Sequence, residues 1–284
     1  LIVISGPVIV RQDENGVAFD AGAPLREIGR LLEGVRTGGF LQYTAGRTLR
    51  SLAADFPLYF GRSLWLALAG GLATLAVGLV CGLLLSGRST AWVKEALGLL
   101  GMVPDFLLAM LLQLLVLGIY QATGLKVARV ASLGGSRPAL FLPVLTITLS
   151  AGVYLVRSVH DTACRMRAQD HLLFARSLGF SPRALLLRHL LPGTLHHLNA
   201  DLYKVAAIIL GSLFIIERIF NVPGLTALLF RFSYYQAWDF DLLRLVTHSQ
   251  INVLLVAFVG LAGVYFLLFG LLRGICGLGE RLLS

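Results

Sequence analysis

Asp201 and Lys204 stand three residues apart and interrupt an apolar run between Arg188 and Glu217, while Asp105 precedes another such run. Three residues apart on a helix, a carboxylate and an ammonium share one face and can neutralise each other. Lined up along a polar path, the same charges would instead hold a zwitterionic or cationic solute. Both readings concern passage rather than bond making. Ser, His and Asp all occur, but no spacing marks a nucleophile triad or an HExxH zinc helix. His196 and His197 point to different sides of a helix, and His189 lies two turns from His196, so no metal site is expected. Cys81, Cys164 and Cys276 are far apart with no CxxC pair, which argues against a disulfide framework. No G-x-x-x-x-G-K-[ST] phosphate loop occurs, so the chain has no nucleotide cradle of its own. It is not expected to be an enzyme.

The elements that must position these residues are membrane helices. Of 284 residues, 57% are hydrophobic and 14% charged, against about a quarter charged in soluble domains. The net charge of +9 raises nucleic acid as a partner. The charges bracket apolar runs, however, so membrane lipid is the expected partner and nucleic acid is not. Spanning a bilayer takes about 20 apolar residues in a helix. Five stretches qualify: Ser63–Gly87; Phe106–Leu125, with its helix starting near Ala96; Pro138–Val156; the run between Arg188 and Glu217; and Leu245–Leu272. Leu1–Val10 reads as the remnant of a truncated first helix. The predicted fold is an all-α polytopic bundle of about six membrane helices, since stretches this long are helices and not barrel strands.

Residues 11–60 read as an extracytoplasmic segment, with an amphipathic helix over Pro24–Tyr43 from the spacing of Leu25, Ile28, Leu31, Leu32 and Val35. Residues 61–284 read as one transmembrane domain. The loop 157–192 is placed in the cytoplasm, because Arg157 to Arg188 carries six compactly spaced arginines against two aspartates. Its punctuation predicts a helix over Asp170–Leu178, a stop at Gly179, a cap at Ser181 and a second helix from Pro182 toward Leu191. Small Ala175 and Ser177 beside basic Arg176 suit a helix seated in another protein's groove. A basic loop lying on anionic headgroups is the alternative. Gly70, Gly71, Gly78 and Gly82 allow close helix packing. Trp65, Tyr203, Tyr234, Tyr235 and Trp238 suit interfacial anchors.

The run Phe174-Ala175-Arg176-Ser177-Leu178-Gly179, with His189 and Pro192 after it, resembles the cytoplasmic "EAA" loop of permease subunits of bacterial ATP-binding-cassette importers. Glu217 to Leu225 resembles the E-x-I-F-x-x-P-G-L stretch of the branch for dipeptides, oligopeptides and nickel. Pro104-Asp105-Phe106 is similar to that branch's P-x-F segment, and Trp238-Asp239-Phe240 to its acidic-aromatic turn before the last helix. Two positions depart from the pattern: Asp170 and His171 stand before Leu172-Leu173 where the family begins with Glu, and Thr226 replaces a usual glycine.

The resemblance implies a multi-pass permease of the bacterial inner membrane, with a cytoplasmic coupling helix between its fourth and fifth membrane helices. The cargo would be a peptide, nickel or a metal chelate. Implied partners are a second, unlike permease subunit, two ATPase subunits that hold ATP and Mg, and an extracytoplasmic substrate-binding protein; this chain would hold no cofactor. Asp170, Phe174, Ala175, Arg176, Ser177, Gly179, Phe180 and Pro182 would meet an ATPase. Asp105, Asp201 and Lys204 would line the substrate path. Pro104, Phe106, Glu217, Phe220, Pro223 and Gly224 would be structural. An ion-coupled secondary carrier is the competing reading, with the same three charges as coupling groups. It predicts an inverted repeat, and none is visible.

Overall fold

A long apolar run satisfies its own backbone hydrogen bonds only by coiling, and in the computed structural model the long apolar runs of this chain are helices. The structure describes residues 10–13, 16–19, 29, 33–36, 38–46, 48–87, 90–132, 139–239 and 244–283. In chain order these hold β1 (Val10–Asp13), β2 (Gly16–Phe19), β3 (Gln42–Ala45), β4 (Thr48–Ser51), α1 (Leu52–Leu85), α2 (Thr90–Leu100), α3 (Asp105–Thr123) and α4 (Phe141–Arg167). There follow α5 (Asp170–Ser177), α6 (Pro182–Leu185), a π turn at Leu186–Leu190, α7 (Leu191–Asn199), α8 (Leu202–Ile219), α9 (Leu225–Ala227), β5 (Tyr234–Asp239), β6 (Arg244–Ser249) and α10 (Ile251–Leu283). Helix dominates, as the all-α expectation requires, and the strands form isolated antiparallel hairpins.

Among the described residues, α1, α3, α4 and α10 are long and apolar enough to cross a membrane. Four of the five expected stretches are thus matched. The fifth is broken at Ala200 and Asp201 into α7 and α8, and α8 carries Lys204, Glu217 and Arg218. The stretch expected as one helix from near Ala96 is two. Pro104 disfavours helical conformation at Val103, so α2 ends at Leu100 and α3 restarts with Pro104 extended (φ −64, ψ 146). Helix α10 begins at Ile251 and not at Leu245, because Arg244–Ser249 pair with Tyr234–Asp239. That pairing also places Trp238 and Asp239 in a strand; Phe240 lies outside the described residues. So do residues 1–9, on which the truncated first helix was expected, and most of Pro24–Tyr43. Glu33–Arg36 are helical, but Gly38 is left-handed (φ 78) and Gln42 opens β3, so that helix does not reach Tyr43.

The chain forms two compact units, one of Leu1–Gly61 with Gly224–Leu261 and one of Arg62–Pro223 with Ala262–Ser284. In the first, Gln250 acts as a clasp. Its side chain accepts from the Thr44 amide (2.6 Å) and donates to the Thr44 carbonyl (2.9 Å) and the Phe232 carbonyl (2.7 Å). Asn252 donates to the carbonyls of Phe40 and Gln42. Tyr43 is buried against Phe232, and its hydroxyl donates to Asp55 at 2.8 Å. Burial first, and then the Asp55 carboxylate, push the Tyr43 phenol above its ordinary pKa.

In the second unit α4 is the central helix. Ile147, Ala151, Leu155, Val159 and Ala163, four residues apart, are all buried, the stripe a packed helix requires. Gly70, Gly78 and Gly82 of α1 lie against Ile147, Leu155 and Val159 at one constant offset, so α1 and α4 run parallel and close. A glycine repeat lets two backbones approach where lipid supplies no hydrophobic drive. Helix α8 buries Leu202, Val205, Ile209, Leu213 and Ile216, and its contacts with α4 run antiparallel, Asp201 to Ser158 and Ser212 to Ser150.

Candidate functional site

Three groups of residues in the second unit bear on function. The first is the segment between α4 and α7. It has the predicted form of helix, glycine turn and helix. Helix α5 ends at Ser177, one residue before the expected Leu178, and Leu178 and Phe180 donate back to the carbonyls of Phe174 (3.1 Å) and Ala175 (3.4 Å). Gly179 sits between them with φ 83, a conformation that costs any residue bearing a Cβ. The Ser181 hydroxyl accepts from the Ala184 amide at 3.2 Å, capping α6, and Pro182 is its first residue. The helix then widens into the π turn, since Pro192 has no N–H to give and its ring crowds the carbonyl four residues earlier.

Large apolar side chains of this segment are exposed, alongside polar Asp170, Ser177 and Arg188. Phe174 and Leu178 are more than 60% exposed, and Leu187 and Phe180 are also open to the surface. Phe180 packs its ring edge-on to His189. Ala175, expected to allow close approach of a partner, is instead buried within the chain. Small size at Ala175 therefore serves the fold beneath α5, and the large side chains form the outer face. The backbone of Arg176 lies in α5, while its side chain lies outside the described residues. Asp170 is the first residue of α5, and the Ser177 hydroxyl closes on the Phe174 carbonyl at 2.7 Å.

The second group surrounds a cavity of about 680 Å³ whose lining includes Leu97, Asp105, Ser150, Val153, Tyr154, Arg157 and Ile208. The Ser150 hydroxyl donates to Asp105 at 2.7 Å, Ser212 donates to its other oxygen, and the two serines lie 3.1 Å apart. Asp105 thereby joins α3, α4 and α8. Asp201 and Lys204 pair at 2.9 Å, as their spacing predicts, and Asp201 also accepts from Ser158 at 2.8 Å. The three expected path charges are therefore not one cluster: Asp105 lines the cavity, and Asp201 with Lys204 forms a separate ion pair. Reasoning from sequence missed Ser150, Ser212, Tyr154 and Arg157. Serines are common in helices, and Arg157 reads as the end of a span.

The third group is the stretch after α8. Glu217, 1% exposed, accepts from the equally buried Ser63 at 2.5 Å. Phe220 is fully buried and its carbonyl accepts from the Ser132 amide; Asn221, with φ 50, donates to the Ser132 carbonyl at 2.7 Å. Arg62 donates to the Pro223 carbonyl at 3.4 Å. These contacts tie α1 and the segment before α4 to the end of α8. Gly224 precedes α9, while Pro104 and Phe106 lie at the surface. Among the described residues no group of three or more His, Cys, Asp or Glu could hold a metal ion. His196 and His197 stack edge-on, and His160 lies 3.6 Å from the Cys164 sulfur.

Residues 74–275 match the sequence model of a family described as "Binding-protein-dependent transport system inner membrane component". A Brucella abortus protein provisionally named a peptide transport system permease is 30% identical over 171 residues, covering 58% of this chain and 54% of its own. A dipeptide transport system permease protein of Bacillus subtilis is 29% identical over 153 residues, 52% of this chain and 47% of that one. One of Lactococcus lactis is 26% identical over 166 residues, 55% and 52%. The chain spans about half the length of the relatives it matches.

Proposed function

The chain belongs to the binding-protein-dependent transport system inner membrane components, and from that membership we propose that it is the permease subunit of an ATP-driven importer of peptides. It is a multi-pass protein of the inner membrane. Peptide is favoured over nickel or a metal chelate because the relatives' names speak of peptides and dipeptides. The observation that carries the proposal is the match over residues 74–275, which encloses the whole helix–turn–helix after α4.

In this reading α5 and its glycine turn lie on the cytoplasmic side and are gripped by one of two ATPase subunits that hold ATP and Mg. Phe174, Leu178 and Phe180 supply the apolar contact, and Gly179 lets the chain reverse beneath it. An exposed apolar face on a short polar-flanked helix is what a partner's groove covers. Asp170, Ala175, Arg176, Ser177 and Pro182 shape the same segment. A second, unlike permease completes the path, and a substrate-binding protein delivers cargo from outside, where residues 11–60 lie ahead of the permease domain 61–284. Closure of the ATPases on ATP moves α5, and the bundle passes between outward- and inward-facing states. ATP must favour one state by several kcal/mol, and it does so through that contact.

The test is reconstitution of the complete transporter in vesicles. Uptake of labelled di- and tripeptides requires ATP, the binding protein and intact ATPase subunits. Uptake by this chain alone, driven by an ion gradient, would make it a secondary carrier instead.

A further inference from the structure

The cavity between α2, α3, α4 and α8 contains one acidic and one basic side chain, Asp105 and Arg157. Among the described residues no Lys or Arg lies within ion-pair distance of Asp105, and no carboxylate lies within that distance of Arg157. Charges in a membrane bundle are costly unless they face water, a partner or a ligand of opposite sign. Asp105 is nevertheless held in place by the hydroxyls of Ser150 and Ser212, which donate to its two oxygens. Tyr154 and Val153 supply an amphipathic and an apolar wall between the two charges.

The spacing sets the ligand. Ser150, which touches Asp105, and Arg157 are seven residues apart on α4, almost two turns, so they share a face about 10 Å apart along the axis. An extended peptide advances about 3.3–3.6 Å per residue, so two to three residues fill that length. A volume of about 680 Å³ is the size of a small-molecule site. Resting on the peptide reading above, we infer that this cavity is a two-ended site for a short zwitterionic peptide, Asp105 taking the free ammonium and Arg157 the free carboxylate. Long peptides and blocked termini are disfavoured here independently of what the binding protein selects. A metal chelate, with no ammonium to meet Asp105, binds poorly.

Trialanine, its carboxyl amide and its N-acetyl form are the probes, and ligand-observed saturation-transfer NMR on the purified transporter without binding protein reads their affinity. The unmodified transporter should favour trialanine over either blocked form by about tenfold, the worth of one charge-assisted contact. Arg157→Gln should abolish discrimination against the amide and keep that against the acetyl form. Asp105→Asn should do the reverse, and Arg157→Lys should bind trialanine detectably. Each comparison is made between ligands on one variant, so expression level cancels. Equal binding of free and blocked trialanine by the unmodified transporter overturns the inference, as does a Gln or Asn variant with unaltered discrimination. Loss of all binding by Arg157→Lys overturns it too and makes Arg157 a structural anchor at the membrane border. The transport reading fails separately, if vesicles with the complete unmodified transporter show no ATP-dependent trialanine uptake.

Discussion

Ser63 near the start of α1 and Glu217 near the end of α8 share a 2.5 Å hydrogen bond across 154 residues of sequence, with both side chains buried. A carboxyl group at that depth is tolerated only while its oxygens are met. The pair therefore fixes α1 to the turn that Phe220, Asn221 and Pro223 build after α8. Ser63→Ala removes one donor from Glu217 and should lower stability by about 1–2 kcal/mol, within the range for hydrogen bonds between membrane helices. Thermal unfolding of the purified transporter measures it. An unchanged midpoint would mean that the contact carries no stability.

The approach of α1 to α4 is equally specific. A Cβ on Gly82 would meet Val159 at 2.6 Å and the Val156 carbonyl at 3.0 Å, whereas one on Gly98 meets nothing within 4 Å. Gly82→Val should destabilise the bundle by about 1–3 kcal/mol through overpacking. Gly98→Ala should be neutral or slightly stabilising, since alanine suits a helix better. Comparing yield and melting of the two variants tests the parallel packing directly.

Gln250 offers a third test, in the first unit. Its amide both accepts from and donates to Thr44 and donates to Phe232. Gln250→Glu replaces the donating nitrogen by an oxygen that faces two carbonyls. Limited proteolysis should then cut faster near Thr44, while Gln250→Asn, which keeps the chemistry but not the reach, should lie between. Equal cleavage of all three proteins would show that the clasp holds nothing.

At the glycine turn, φ 83 at Gly179 with open space where a Cβ would stand separates backbone strain from crowding. Gly179→Ala should cost about 1 kcal/mol, and Gly179→Val more, because a branched side chain resists left-handed conformation. In the proposed mechanism peptide uptake falls in step. Full uptake by the valine variant would remove the turn from the mechanism.

Much of this was legible in the sequence. Gly179, Ser181 and Pro182 announce a helix–turn–helix because capping chemistry is local, and Asp201 with Lys204 pair because their spacing is helical. Charge-free runs located α1, α3, α4 and most of α10. What sequence did not disclose depends on distant partners. Nothing around Ser150 or Ser212 marks them as ligands of Asp105, and Ala175 looked like a docking residue although the fold uses it internally. Hairpin pairing takes Leu245–Ser249, which hydropathy assigns to a membrane span.

Phe174, 65% exposed on α5, is the place to test the central claim. A photo-cross-linking phenylalanine analogue installed there, in the complete transporter within its membrane, should couple to an ATPase subunit, with a yield that changes when ATP is added. Cross-links to lipid alone, identical with and without nucleotide, would contradict the account.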